Sequence, residues 1–91
     1  MAALDTMVIL MKARVFVILK PTVLDPQGQT IRRALNSHGH PSITDVRQGK
    51  YFDLTVDDSA GREKALEELD RIAHEVLSNP VIEEYRVEVV E

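Results

Sequence analysis

The chain has no cysteine and no tryptophan, and it has only two phenylalanines and two tyrosines. Without cysteine there are no disulfides, no thiolate nucleophile and no cysteine-based zinc site. That habit fits a reducing compartment. So few rings leave no stacking platform for RNA, since the sheet could offer Tyr51 and Tyr85 at most. Cations are also in deficit: eleven Lys and Arg stand against fifteen Asp and Glu, a net charge of −4. A broad nucleic-acid face needs a basic footprint, and this composition lacks one. No apolar run approaches the roughly 18 residues that cross a bilayer. Met7 to Leu10 is apolar, but Asp5 precedes it, and Lys12 and Arg14 interrupt the run beyond Leu10. A secretory signal carries its positive charge before the apolar stretch, not inside it. The expectation is a soluble, cytoplasmic protein with neither nucleic acid nor membrane as partner.

What is present is one small domain of 91 residues. A chain of this size buries only about 60–65% of the surface its unfolded form exposes. Association with a partner is a common remedy. The chain is organised around Leu24-Asp25-Pro26-Gln27-Gly28, where a strand hands over to a helix. Asp25 suits the N-cap, accepting from free helical amides. Pro26 suits the first helical position, where no N–H is needed. A helix start also attracts anions, but Asp25 already supplies the negative charge and would repel a phosphate.

In order, Ala13 to Lys20 reads as a strand. Val15, Val17 and Leu19 fall on one face, Phe16 and Ile18 on the other. An apolar character on both faces calls for cover on both. Either a second copy supplies it, or helices lie on both sides of a central strand. The first helix is expected from Pro26 to His38, with Ile31, Ala34, Leu35 and His38 in one stripe. Gly39 and Pro41 close it. Ser42 to Val56 reads as a hairpin turning at Gln48-Gly49-Lys50, with Val46 opposite Phe52 and Thr44 opposite Leu54. A single strand bent at Gly49 is the alternative. Asp57-Asp58-Ser59 signals a cap. Ala65, Leu66, Leu69, Ile72, Ala73, Val76 and Leu77 then form one unbroken helical stripe, stopped by Ser78-Asn79-Pro80. Val81 to Val90 is the last strand, with Tyr85, Val87 and Val89 on one face. The order β-α-β-β-α-β predicts a ferredoxin-like α+β sandwich: an antiparallel sheet, two helices on one face, and a sheet face covered by oligomerisation.

Chemistry is sparse. His38 and His40 are two ligands on one turn, too few for a metal. His74 lies among charges on a polar helix face. Adjacent carboxylates such as Asp57-Asp58 and Glu83-Glu84 do not converge on one substrate. Gln27-Gly28-Gln29 is no phosphate loop. His40, Ser42 and Asp45 have the letters of a triad but no shared geometry. The residues describe an interaction module without catalytic, cofactor or metal residues of its own.

Three stretches together carry a resemblance: Leu24 to Gly28 with Ile31, Ala34 and Leu35; Asp45 to Leu54; and Asn79 to Tyr85. Their order and spacing resemble the PurS subunit family of phosphoribosylformylglycinamidine synthase. The resemblance covers residues 11–91 as a single domain, with 1–10 as an extension before the usual family start. It implies the small non-catalytic subunit of an ATP- and glutamine-dependent C–N ligase of de novo purine synthesis. Such a subunit bridges a PurL-type ligase and a PurQ-type glutaminase for ammonia transfer to formylglycinamide ribonucleotide. ATP, Mg and glutamine would be used by the complex, with none bound by this chain. The family implies a homo-dimer or homo-tetramer. Arg47, Gly49, Lys50 and Tyr51 match its hairpin motif and are expected contact residues. Val15, Val17 and Leu19 are expected at the interface between copies. The rival reading is a ferredoxin-like regulatory module binding a small metabolite at a dimer interface.

Overall fold

The computed structural model describes residues 10–90. The expected extension over residues 1–10 falls outside them except for Leu10. Strand β1 runs Leu10–Leu19, helix α1 Pro26–Ser37, strand β2 Gly49–Asp57, helix α2 Arg62–Ile72 and strand β3 Glu83–Val89. The sheet is antiparallel in the order β2-β1-β3. Val15 sits between Phe52 and Val87, and Phe16 between Tyr51 and Arg86. Three antiparallel strands and two helices make a ferredoxin-like α+β fold.

Alternation along β1 decides its two faces. Met11, Ala13, Val15 and Val17 are 0–1% exposed and form the floor of the core. Ala65 and Leu69 of α2, with Ala73 just past its end, close over them. Val15 and Val17, expected at the interface between copies, are packed here against Ala73 at the end of that helix. Small alanines at 65 and 73 let the helix approach the strand closely, and Leu69 fills the space between.

The helix boundaries follow local chemistry. Asp25 caps α1 from an extended backbone and accepts from Gly28 N–H at 2.9 Å. Gly39, at φ 94°, supplies the left-handed residue that ends the helix. Asp57 does not cap α2; its carboxylate accepts from Ser59 N–H at 2.9 Å and shapes the loop before Gly61, the N-cap. At its far end α2 widens into a π turn over Ala73–Leu77. Ser78 N–H and Oγ both donate to the Ala73 carbonyl, at 3.0 and 2.8 Å. The wide turn shifts the phase of the stripe, so Val76 is 72% exposed while Ala73 is buried.

The first arm of the expected hairpin does not form. Residues 42–48 belong to no strand, and Phe52 and Leu54 pair with Val15 and Ala13 instead of Val46 and Thr44. The backbone and side chains of that stretch are bound elsewhere. Asn36 holds the Ile43 carbonyl, Asp25 takes the Gln48 N–H, and Arg47 folds back onto the turn after β1. Of the two helices, α2 packs on the sheet. Helix α1 makes only slight contact with the sheet.

Candidate functional site

Two neighbouring regions are built around the end of β1. The first is a junction at Lys20. Its N–H donates to the Ile82 carbonyl at 2.8 Å, and its own carbonyl accepts from Val23 N–H at 2.9 Å and Arg47 Nη2 at 2.8 Å. The same Arg47 nitrogen lies 3.0 Å from the Val23 carbonyl and 3.3 Å from that of Leu19. A guanidinium suits this role, since it is a fixed fan of donors that stays charged. Asp25 joins the junction from the other side. It is 5% exposed, and its second carboxylate oxygen accepts from Gln48 N–H at 2.7 Å. The amides of Gln48 and Gly28, with Arg47 nearby, hold the Asp25 carboxyl below the usual carboxylate range. Gly28 is buried here because a side chain would not fit. A Cβ would overlap the Val46 carbonyl and come within 2.8 Å of the Asp25 carboxylate. Asn79 completes the third side, accepting from Val81 N–H at 3.0 Å and donating its own N–H to Glu83 at 2.7 Å. The three sequence stretches that carry the resemblance are therefore one spatial unit.

The second region is the outer face of the sheet. A depression of about 570 Å³ is lined there by Phe16, Ile18, Gly49, Tyr51, Glu84 and Arg86, among others. The Arg86 guanidinium lies 4.3 Å from the Phe16 ring centre, and that of Arg14 lies 4.5 Å from the Tyr51 ring centre. The two rings are 5.9 Å apart. Arg14 also pairs with Asp53 at 2.7 Å, which lowers the Asp53 pKa and raises that of Arg14. Arg86 pairs with Glu88. The result is a ladder of two rings flanked by a cation at each end, open to solvent, with Tyr51 55% exposed.

The candidate contact residues divide between these places. Arg47 is half-buried in the junction, where its Nη2 group donates to backbone carbonyls and fastens the chain internally. Leu19 is half-buried at the same spot. Gly49 opens β2, so close to β1 that a Cβ would lie 2.6 Å from the Val17 carbonyl. Lys50 and Tyr51 are exposed. Phe16, Arg14 and Arg86 were not among the expected contacts. Their pairing is set by strand register, which single-strand patterns do not give. Among the described residues, no group of three or more His, Cys, Asp or Glu is placed to hold a metal ion. No helix there is long and apolar enough to cross a membrane.

A family profile described as PurS, phosphoribosylformylglycinamidine (FGAM) synthase, matches residues 12–91. The chain belongs to the PurS family. PurS is a subunit of FGAM synthase, a ligase. The PurS subunit of Mycobacterium leprae (strain TN) is 46% identical over 76 residues, spanning 84% of this chain and 91% of that one. The PurS subunit of Bacillus subtilis (strain 168) is 44% identical over 84 residues, spanning 88% and 93%. Among solved structures, the PurS subunit of Thermotoga maritima superposes with a TM-score of 0.84 at 34% identity, over 93% of this chain and 97% of that one. A chain in the structure of PurLQS from Thermotoga maritima superposes with a TM-score of 0.82 at 35% identity, over 90% and 99%. The PurS match spans all three stretches that meet at the Lys20 junction, and it begins two residues inside β1.

Proposed function

We propose that this chain is the bridging subunit of FGAM synthase. It holds a PurL-type ligase and a PurQ-type glutaminase together so that ammonia from glutamine reaches formylglycinamide ribonucleotide. The observation that carries this is the likeness to a chain of the PurLQS structure over nine-tenths of the sequence. The composition supports it, since no cysteine exists to serve as a glutaminase nucleophile. In this reading ATP, Mg and glutamine are used by the complex in the cytoplasm, and residues 11–91 act as one PurS domain preceded by a short extension. The subunit works as a homo-dimer or homo-tetramer.

The contact surface in this reading is the rim formed by Gly49, Lys50 and Tyr51 around the outer depression. Tyrosine and arginine gain much at interface centres, because a rigid ring or planar donor loses little entropy on docking. The ladder of Arg14, Tyr51, Phe16 and Arg86 offers both. Arg47 and Leu19 serve the same surface from behind, by fixing the chain that enters β2. Assembly tests the reading. The chain is mixed with the ligase and glutaminase subunits of its own organism and run by size exclusion. Co-elution of all three, lost when this chain is left out, is the expected result. Complete assembly of the other two without it would refute the bridging role.

A further inference from the structure

We propose that the outer depression receives an arginine side chain of a partner subunit, with the guanidinium held by Glu84. The proposal deepens the contact surface named above and rests on the bridging role.

Strand register builds the receiving slot. Phe16 stands between Tyr51 and Arg86, and two residues along β1, Ile18 stands between Gly49 and Glu84. The first row is bulky throughout. The second has no side chain at Gly49, and the depression of about 570 Å³ opens over Ile18 and Gly49. The strand spacing makes this row about 10 Å long. Its floor is aliphatic, its long wall is aromatic, and one end carries a carboxylate. A side chain with an apolar stem and a charged head fills such a slot: the stem covers the floor and the head reaches the end.

Glu84 is the charge that the chain leaves unanswered in this slot. Asp53 and Glu88 are paired on the same face, with Arg14 and Arg86. The Lys50 ammonium is drawn aside to the Phe52 ring, 5.7 Å from its centre. No cation among the described residues pairs with Glu84. Asp45 adds a second carboxylate, in an adjoining depression of about 220 Å³ that Ile18 and Glu84 also line. The whole chain carries a net charge of −4, so a basic partner segment is drawn toward it.

The same groups decide between ligand classes. A phosphate or a nucleotide would be repelled by the Glu84 carboxylate. It would also find the Phe16 and Tyr51 rings already covered by the Arg86 and Arg14 guanidinium groups. An ammonium would reach Glu84 as a point charge and hold its water strongly. A guanidinium gives two parallel donors to one carboxylate, and its weakly hydrated plane packs against aromatic walls. This face already makes that choice twice, in the Arg14–Asp53 and Arg86–Glu88 pairs, each with its guanidinium against a ring.

Charge reversal in the assembled complex is the test. Glu84→Arg and Glu84→Gln are titrated into the ligase and glutaminase subunits, with Glu67→Arg on the exposed side of α2 as the control. Glu84→Arg should weaken assembly by about thirtyfold or more and Glu84→Gln by about tenfold, with Glu67→Arg within about threefold of the native chain. Glu84 is exposed, so melting temperatures should stay level. Glu84→Gln carries the test if Glu84→Arg lowers the yield of folded protein. Benzoylphenylalanine in place of Tyr51 then identifies the occupant by photocrosslinking and mass spectrometry. The expected link is to a segment of the ligase or glutaminase that contains an arginine. A link to a second copy of this chain, or to a segment without an arginine, overturns the proposal, as does native-strength assembly by Glu84→Arg. In those cases the native chain still assembles, and the bridging role stands. A native chain that assembles with neither subunit overturns the bridging role and the proposal together.

Discussion

Asp25 and Gly28 show how much rests on single residues. Asp25 serves two amides, one in α1 and one entering β2, from a nearly buried position. Its pKa is lower in the folded chain than its ordinary value, so the unfolded state binds more protons as pH falls toward 4. The stabilisation is therefore fully present above the ordinary carboxylate range. It is lost as pH drops through the folded pKa. Chemical denaturation between pH 6 and 3 should show stability falling with acid, and Asp25→Asn should flatten part of that fall. Equal pH slopes in both proteins would contradict the assignment. Gly28→Ala should cost about 1–3 kcal/mol, because the new methyl meets a backbone carbonyl that cannot simply rotate away. A melting temperature unchanged within error would contradict it. Sequence reasoning identified the Asp25 cap from its neighbours alone, but not its second bond. Gln48 is 23 residues away, and no local pattern links the two.

At the scale of elements, helix α2 is the most informative. Its stripe predicted burial from Ala65 through Leu77; Ala65 and Leu69 are buried as expected, whereas Leu66, at the edge of the stripe, is 36% exposed. The π turn then displaces one position: Leu69 is 1% exposed and Val76 72%. Leu69→Ala should cost about 2–5 kcal/mol, as for a fully buried leucine, while Val76→Ser should change stability by less than about 0.5 kcal/mol. Urea melts of the two variants measure both. Similar losses in the two would mean that the helix is regular to its end. The strands were legible by their alternation, including the inward set Phe52, Leu54 and Val56. The expected hairpin failed because its first arm has apolar alternation at Thr44 and Val46 but its backbone is claimed by Asp25, Arg47 and Asn36. Period-2 patterning reports which face a residue would take, not whether a neighbouring strand is free to pair.

For the whole molecule, the inner side of the doubly apolar β1 is covered from within the chain. The outer face carries Tyr51 and Lys50 at the rim of its depression and Phe16 and Arg86 inside, and it is the face proposed above for partners. Lys50→Ala with Tyr51→Ala should leave the fold nearly intact, since both side chains are exposed. It should weaken assembly with the ligase and glutaminase by about 2 kcal/mol, roughly thirtyfold in affinity. Circular dichroism checks the first outcome and titration calorimetry the second. Arg47→Ala should behave differently, lowering stability by about 1–3 kcal/mol because it removes the donor that ties the Leu19, Lys20 and Val23 carbonyls together. Arg47, Lys50 and Tyr51 are neighbours in sequence, but the fold half-buries Arg47 in the junction and leaves Lys50 and Tyr51 exposed.

The central claim is that this chain couples two other subunits without catalysing a step itself. The most direct measurement compares glutamine with free ammonia as nitrogen source for FGAM formation by the ligase and glutaminase subunits, with and without this chain. The account predicts that turnover with ammonia is largely independent of the chain, while turnover with glutamine requires it and rises with its concentration up to a fixed ratio. Full glutamine-dependent turnover in its absence would contradict the account.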